Sequence, residues 1–389
     1  MMNLMVFIVV CLSLTYCKID ARSNTLLEGE NHFTRSNNLR KIQHQVDMDF
    51  YCVDIYEQPA LQHPLLKNHK IQLYPTFAKN VIQSSLSNSK IMDGNADKCL
   101  AGQVPIYKRR KVHQIITNLS SRLQTDDFQS YSRSSPGYHT VTLGTTQNMI
   151  FHGASVEIGM YNLSLQGDQY SMSSMWLERG SSMELNSIQI GVGVHPSLYG
   201  DNKLRLTGHW TAQKKMGCYN DNCPGFVQVN QDKDYALGSV MYPTSLIGSQ
   251  SKWTAPIKIK QDRTTGHWWL IMQKEPIYVG YWPKELFSHL SRGASLIRFG
   301  GQTYAPPNKD SPPMGSGRLP KEKFKNSGFM GLLKVIDSEY NENDINPKYM
   351  KQYSDAKPDC YDLWYHGYEG SEYKQSFLYG GPGGRNCDI

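Results

Sequence analysis

The sequence predicts an all-β protein, an antiparallel β-sandwich preceded by a small N-terminal unit that a disulfide staples. Its 389 residues include 32 Gly, 19 Pro and 24 Tyr, a composition typical of strands and turns and unlike that of a helical bundle. From residue 138 onward, short runs of alternating apolar and polar residues are divided by Gly, Asn, Asp and Pro. Many short strands in so long a stretch are typical of two packed antiparallel sheets, and such a domain can fill up to about 250 residues.

The N-terminus is predicted to direct secretion. Residues 5–14 form an apolar run that is too short to span a membrane, and Lys18 is the first charged residue after it. This pattern is typical of a signal peptide over residues 1–21; a buried first strand or helix is the alternative. Residues 22–45 are polar and without a period, which predicts a flexible leader. No later apolar stretch is long enough to cross a membrane, so we expect a secreted, extracellular protein with no membrane partner.

Removal of the signal peptide leaves six of the 8 cysteines in an oxidising compartment, where fifteen pairings are possible. Proximity along the chain favours the pairs Cys52–Cys99, Cys218–Cys223 and Cys360–Cys387. Zinc is the alternative for the two cysteines of the middle pair. Their spacing and the lack of a second pair nearby favour a disulfide.

The remaining chain divides into three predicted parts. Residues 46–116 contain several prolines and only short apolar clusters, typical of a small unit that needs a disulfide. Residues 117–137 are polar and rich in Ser, which predicts an exposed linker where proteolytic processing occurs. Residues 138–389 form the predicted sandwich. Asn118 and Asn162 each begin an Asn-Leu-Ser sequon and are candidate glycosylation sites.

The charge of the chain argues against a nucleic-acid partner. The formal net charge is +7. The part before residue 138 has 16 basic and 11 acidic residues, and the larger part after it has 25 and 23. Since the predicted sandwich is nearly neutral, it lacks the basic surface that follows a phosphate backbone.

The clearest predicted strand covers residues 186–194. Ile188 and Ile190 lie on the face that should point to the core, and Gln189 and Gly191 lie on the opposite face. Further strands are predicted at residues 154–160, 169–177, 203–210, 235–242, 268–273, 278–281 and 296–299, and one helix at residues 283–291. The predicted helix begins with a proline and is followed by a glycine, which are common boundary residues.

The sequence lacks the common catalytic motifs. It has no Gly-x-Ser-x-Gly elbow, His-Glu-x-x-His zinc helix, phosphate-binding loop or dinucleotide-binding fingerprint. His195, His209 and His267 lack the spacing of metal ligands or of a triad, and we interpret them as polar surface or hydrogen-bonded core residues. No metal or cofactor is therefore expected. Gln189 shares its strand face with two glycines and Gln302 directly follows two, and taken alone both are ordinary strand amides.

Several longer motifs resemble those of one family. They are CVDIYEQPA (residues 52–60), HPLLKNH (63–69), GCYNDNCPGFVQ (217–228), TGHWWL (265–270), VGYWP (279–283), MGSG (314–317) and YGGPG (379–383). The first two resemble the activation-peptide domain of the neprosin family, mostly secreted plant proteins. The others resemble its catalytic domain in order and spacing. The resemblance covers residues 46–389, nearly the whole mature chain.

The resemblance implies a sandwich of two seven-stranded antiparallel sheets, made as a precursor and activated at acid pH by removal of the N-terminal segment. It also supports the three cysteine pairs. Active members resemble glutamic peptidases that cut after proline. Two Glu side chains face a water there: one is the general base, and the other assists as the acid and stabilises the oxyanion.

Both catalytic positions of that family are changed in this sequence. The first Glu lies in an Asn-x-Ile-Glu-x-Gly-Trp motif, which corresponds to residues 186–192 and places Gln189 at the catalytic position. The second lies in a Gly-Gly-Glu motif, which places Gln302 there. The Trp of the first motif is Val192. Glu184 is the nearest carboxylate in sequence to Gln189, and we expect it on the wrong face or outside the site.

These changes predict a protein with the fold and groove of an acid prolyl endopeptidase and little or no activity, because two amides have no accessible protonation equilibrium. The groove retains amides and aromatic residues such as Tyr304 and Trp210, which favour an extended proline-rich peptide as the partner. Two alternatives stay open. One is an active low-pH prolyl endopeptidase with an unrecognised base; the other is a protein that binds cell-wall carbohydrate through its Tyr and Trp residues.

Overall fold

A computed structural model gives the structure of most of the chain. It describes residues 50–78, 98–107, 137–181, 184–212, 216–272, 274–368 and 370–389. The predicted signal peptide, the leader and nearly all of the processing linker, including Asn118, lie outside the described residues. Asn162 is described and exposed, as a glycosylation site requires. Within the described ranges, no helix has the length and apolar character needed to cross a membrane.

The protein is a sandwich of two antiparallel sheets, as the sequence predicts. The first sheet consists, in spatial order, of β16 (Met350–Ser354), β3 (Tyr138–Thr145), β13 (Leu296–Tyr304), β5 (Tyr170–Arg179), β6 (Asn186–Val194), β7 (Arg205–Ala212) and β8 (Met216–Tyr219). The second consists of β17 (Asp362–Tyr368), β18 (Gln375–Gly380), β14 (Gly328–Ile336), β4 (Gly153–Gly159), β10 (Thr254–Gln261), β11 (Trp268–Met272), β12 (Ile277–Trp282) and β9 (Val227–Gln228), with β15 (Glu342–Asp344) paired to β14.

The two sheets differ in strand number. The first has the seven strands that the resemblance implies, and the second has nine. The difference arises from β9 and β15, which have only 2 and 3 residues and extend the sheet locally. A separate two-stranded sheet, β1 (Phe50–Asp54) with β2 (Gln103–Tyr107), belongs to the N-terminal unit.

In the described residues, helical structure is limited to single turns. The α-helical turns are α1 (Pro196–Tyr199), α2 (Lys323–Asn326) and α3 (Gly370–Tyr373), and the 3-10 turns are Pro59–Gln62, Pro64–Leu66, Thr76–Ala78, Lys233–Tyr235, Lys284–Leu286, Leu290–Arg292, Pro320–Glu322 and Pro347–Tyr349. These turns lie between strands and at sheet ends. Gln189 and Gln302 both lie on strands, so the strands determine their positions.

The core lies between the two sheets and follows the alternation of the strands. Ile188 and Ile190 of β6 are fully buried in this core, where Trp268 and Trp282 of the nine-stranded sheet also lie. Since successive side chains of a strand point to opposite faces, Gln189 points to the outer face of the seven-stranded sheet. The predicted inward and outward residues of this strand are thus found as expected.

Two predicted elements are wrong. Residues 235–242 form no strand: they are loop after a 3-10 turn, with one isolated bridge between Arg205 and Val240. The helix predicted at residues 283–291 is instead two 3-10 turns, separated by Phe287 in an extended conformation. Asn186 explains the second difference, because its Oδ1 accepts the backbone N–H of His289 at 2.7 Å and thereby replaces a helical hydrogen bond.

The N-terminal unit packs on the outer face of the nine-stranded sheet. Ala60 joins a buried cluster with Trp269 and Tyr281, which point away from the core between the sheets. Gln58 lies beside the edge strand β9, donating to the carbonyl of Gln228 at 3.1 Å and accepting its N–H at 2.8 Å. The described part of this unit is therefore held on the sheet opposite to the one that contains Gln189.

Three disulfides occur in the described chain, with the pairs that proximity favours. They are Cys52–Cys99, Cys218–Cys223 and Cys360–Cys387. The first joins the N-terminal unit across 47 residues, and the third ties the C-terminus to the strand region before β17. The middle pair closes a short loop after β8, so these two cysteines do not form the zinc site considered as an alternative.

Candidate functional site

The two glutamines predicted from the sequence meet on the outer face of the seven-stranded sheet. Gln189 lies on β6 and Gln302 on β13, with β5 between the two strands. The Nε2 of Gln189 lies 3.5 Å from the Oε1 of Gln302 and 3.2 Å from the Oγ of Ser174, which β5 contributes. Three uncharged polar groups therefore form the centre of the site.

Close approach between strands explains the glycines around this centre. A Cβ on Gly191 would lie 1.9 Å from the carbonyl oxygen of Ser173, and one on Gly300 would lie 2.1 Å from that of Val141. Gly300 also has a φ of +155°, which side-chain-bearing residues rarely adopt. These glycines bring neighbouring strands together around the glutamines.

His209 is a site residue that the sequence analysis set aside. It lies directly across from Gln189 on the adjacent strand β7, on the same face of the sheet. Its ring packs against Tyr219 at 4.7 Å between centroids, and burial lowers the pKa of His209 to about 4. The imidazole is therefore neutral above that pH and has a nitrogen that can accept a proton. The sequence does contain a signal for this position. His209 lies on the polar face of β7, as Gln189 does on β6, and these two faces lie on the same side of the sheet.

A buried carboxylate also lies on this face, and the sequence analysis missed it. Glu178 belongs to β5 and its side chain is 5% exposed. Arg298 donates to both of its oxygens, at 2.8 and 2.7 Å, and also lies 5.0 Å from the ring of Trp176. A carboxylate held in this bidentate way has its lone pairs directed at the guanidinium, so it is poorly placed to accept a proton from water.

Glu184, the carboxylate considered in the sequence analysis, lies outside the site. Its side chain is 65% exposed and lies 3.3 Å from the Nε2 of His289, in the loop region before β6. The structure does not bring it to the two glutamines.

Three tyrosines lie beside Gln302 on the same face. This tyrosine cluster consists of Tyr138, Tyr170 and Tyr304. The ring of Tyr304 lies 4.5 Å from that of Tyr138 and 5.8 Å from that of Tyr170. His195 stacks on Tyr170 at 4.8 Å, and burial lowers its pKa to about 3, so it stays neutral. The cluster supplies an aromatic wall at one end of the site.

Trp210 does not belong to this wall. It was expected with Tyr304 in the groove, but it is 4% exposed and packs edge-on against Phe287 in the core between the sheets. It lies on the same face of β7 as the inward-pointing leucine Leu206, which is fully buried. The alternation of its strand places it there, so only Tyr304 of the two is available to a ligand.

Among the described residues of the site, no group of side chains has the proximity of metal ligands. In the described part of the chain, one group of three side chains has the proximity that a metal requires, and it consists of His69, His267 and Glu285. That group lies beside the N-terminal unit, on the other sheet, and takes no part in the groove.

These features define a class of protein: an antiparallel β-sandwich with paired amides, a histidine and an aromatic wall on the outer face of one sheet. A sequence profile described as Neprosin matches residues 167–382, and one described as Neprosin activation peptide matches residues 44–150. The chain belongs to the neprosin family. The first match includes both Gln189 and Gln302, and the second extends through β3 of the sandwich.

Two solved structures are similar to this chain. A crystal structure of scytalido-glutamic peptidase with a transition state analog inhibitor has a TM-score of 0.35 and 7% sequence identity, over 63% of this chain and 98% of that chain. Scytalido-glutamic peptidase with a peptide based transition state analog has a TM-score of 0.33, with the same identity and coverage. The family membership rests on the two sequence profiles.

Proposed function

We propose that this protein binds extended proline-rich peptides on the outer face of its seven-stranded sheet and has lost all or nearly all peptide hydrolysis. The observation that carries the proposal is the contact between two amide side chains, Gln189 and Gln302, at the positions where active members of the family have carboxylates. The two carboxylates that accept and donate the proton in active members are therefore absent.

The loss follows from the chemistry of the amide group. Neither glutamine can take a proton from water, since an amide oxygen is a very weak base and its nitrogen is no acceptor. Loss of a general base alone lowers a rate by about 10²–10⁴-fold, and loss of the acid adds to this. Glu178 does not replace it, because Arg298 holds both of its oxygens.

Peptide binding needs hydrogen-bonding groups and an apolar contact surface but no proton acceptor, and the site has both of these features. The half-buried amide of Gln302 can exchange hydrogen bonds with a peptide backbone, while Gln189 and Ser174 are buried and hold the centre of the site in place. The half-buried ring of Tyr304, packed against the buried rings of Tyr138 and Tyr170, offers a surface on which a proline can pack. A proline-rich segment is already extended before binding, so it loses little conformational entropy.

The binding proposal is tested with a labelled proline-rich peptide, by fluorescence anisotropy at pH 5, and with mass spectrometry to establish that the peptide stays intact. We expect saturable binding that Tyr304→Ala weakens about tenfold, a loss typical of a packed aromatic contact. Tyr368→Ala is the matched control, because Tyr368 is 54% exposed on the other sheet. Displacement of the peptide by cell-wall oligosaccharides would favour the carbohydrate alternative. Absence of peptide binding would rule out the proposal.

His209 supports a second candidate function, a weak acid prolyl endopeptidase. Its neutral imidazole lies across from Gln189, where it can accept a proton from a water. In that case peptide cleavage by the wild type should be abolished by His209→Gln and retained in His289→Gln, which changes a histidine outside the site. Absence of cleavage by the wild type would exclude this candidate.

We also propose that the protein functions outside the cell, in the cell wall or apoplast, after its N-terminal unit has been cut in the region of residues 117–137. Three disulfides support an oxidising compartment. Since neither glutamine of the pair can act as a base, we expect another protease to make this cut. N-terminal sequencing of the secreted protein tests this, and a terminus that stays near Ala21 after acid treatment would contradict it.

A further inference from the structure

A cluster of metal-ligating side chains lies at the contact between the N-terminal unit and the sandwich. His69 comes from the N-terminal unit, His267 from the turn before β11, and Glu285 from the 3-10 turn after β12. Three separate segments thus contribute one ligand each. The ligand atoms all lie within 4.8 Å of one another.

The distances are close to those of a bound zinc ion. The Nδ1 of His267 lies 3.9 Å from the Oε2 of Glu285. With bonds of about 2.0–2.1 Å, two ligand atoms of a tetrahedral zinc site lie about 3.4 Å apart. The three groups therefore need to move inward by about 1 Å. Glu285 can supply much of this movement, because its side chain is 40% exposed.

The surroundings of His69 resemble the support that metal-bound histidines usually have. Its Nε2 is hydrogen-bonded to the hydroxyl of Tyr281 at 2.7 Å, so its Nδ1 is the nitrogen that remains for an ion. The ring of His267 stacks on the same tyrosine at 4.9 Å between centroids. Tyr281 therefore orients both imidazoles.

The local charge suits a divalent cation. Glu285 contributes one negative charge, and Asp262, which interacts electrostatically with His267, contributes a second. Asp262 is fixed in place by Thr76 of the N-terminal unit, whose N–H and hydroxyl donate at 2.6 and 2.7 Å. Lys284 near His267 and Lys260 near Asp262 carry opposing positive charges. The backbone N–H of Lys284 makes a long contact of 3.3 Å to the Nδ1 of His267, which a metal would replace.

We infer that His69, His267 and Glu285 form a zinc site that fastens the N-terminal unit to the sandwich. Two imidazoles and one carboxylate are a ligand set that zinc accepts, with water in the fourth position. The ion would join segments of the chain on either side of the predicted processing linker, so it would strengthen their association. The inference is independent of what the groove binds.

The test is a zinc titration of the full-length chain, freed of metal by a chelator and carrying no histidine tag, followed by calorimetry at pH 7.5. We expect one zinc ion per chain and a rise in the unfolding temperature of about 5 °C at saturating zinc. Glu285→Gln and His69→Gln should each weaken zinc binding at least tenfold. Cobalt in place of zinc should give the visible absorption of a tetrahedral site in the wild type and lose it in both variants.

Glu184→Gln is the matched control, since Glu184 is also an exposed glutamate beside a histidine but lacks a third ligand. It should bind zinc as the wild type does. Because Glu285 is partly exposed, its variant should fold, and its unfolding temperature without zinc establishes this. Absence of zinc uptake by the wild type, or equal uptake by the wild type and both ligand variants, would overturn the inference.

Discussion

At the scale of single residues, the function proposed for this protein depends on a change of one atom at each of two positions. A Gln and a Glu have nearly the same shape, so the strands around Gln189 and Gln302 need no adjustment to accept either. The chemistry differs completely, because only the carboxylate exchanges a proton with water. The sequence alone identified both positions through the family motifs. It could not identify Glu178, because the partner Arg298 is far away in the chain and only the strand register brings the two together.

Asp355 offers a prediction at the same scale. Burial raises the pKa of Asp355 to about 7, against the effect of the backbone N–H of Thr140, which donates to it at 2.8 Å. Other ionisable groups near it are His139, 3.8 Å away, Asp388 and Tyr361. Since this pKa is higher in the folded chain than the unfolded value of about 3.9, its contribution to stability is complete below about pH 4 and is lost as the pH rises through about 7.

Asp355→Asn should remove the loss of stability at high pH. An asparagine keeps the oxygen that accepts the N–H of Thr140, and it cannot ionise. We expect the variant to be more stable than the wild type by about 2 kcal/mol at pH 8 and nearly unchanged at pH 4. Urea unfolding at both pH values measures the difference, with the exposed residue change Asp359→Asn as the control. A larger stabilisation at pH 4 than at pH 8 would contradict the assignment.

At the scale of elements, the sequence predicts a strand well where apolar and polar residues alternate regularly and the strand lies between two others in the sheet, as β6 does between β5 and β7. Strand β6 was predicted at residues 186–194 and is found at Asn186–Val194. Residues 283–291 fail as a helix because long-range contacts override the local boundary signals. Leu286 and Leu290 are buried in the core, and Asn186, a residue far away in sequence, binds the backbone between them.

Asn186 gives the prediction at this scale. It is fully buried, and its Oδ1 accepts the N–H of His289 at 2.7 Å and, less closely, that of Leu290 at 3.3 Å. Asn186→Ala should leave these buried donors without an acceptor and lower the free energy of unfolding by about 2 kcal/mol. Denaturant unfolding measures it, with Asn343→Ala, at an exposed position, as the control. A loss no larger than that of the control would show that these contacts contribute little.

At the scale of the whole molecule, the two sheets have separate tasks. The outer face of the seven-stranded sheet contains the paired glutamines, and that of the nine-stranded sheet binds the described part of the N-terminal unit. The sequence predicted both units and the sandwich. It could not predict on which sheet the first unit lies, because that depends on which outward aromatic residues, such as Trp269, remain uncovered after the sandwich forms.

Asp262 gives the prediction for this contact. Besides Thr76, the side chain of Gln72 donates a hydrogen bond to Asp262 at 3.1 Å. Burial alone would raise the pKa of Asp262. The hydrogen bonds outweigh this effect, so its pKa is lowered. After a cut in the predicted linker, Asp262→Ala should weaken the association of the N-terminal unit about tenfold or more, since it leaves several donors without an acceptor. Size-exclusion chromatography of the cut protein measures release. Asp168→Ala, at an exposed residue, is the control, and equal release from both would contradict the prediction.

Restoring the two carboxylates tests whether the glutamines are what prevents peptide hydrolysis. Three proteins with the N-terminal unit removed are incubated with a proline-rich peptide at about pH 3–5, a range that brackets carboxylate titration. They are the wild type, Gln302→Glu, and Gln189→Glu combined with Gln302→Glu, and the products are identified by mass spectrometry. We expect cleavage after proline by the double variant and little or none by the wild type. Cleavage by the wild type at a rate comparable to that of the double variant would contradict it, because a proton acceptor other than the family's pair would then be at work.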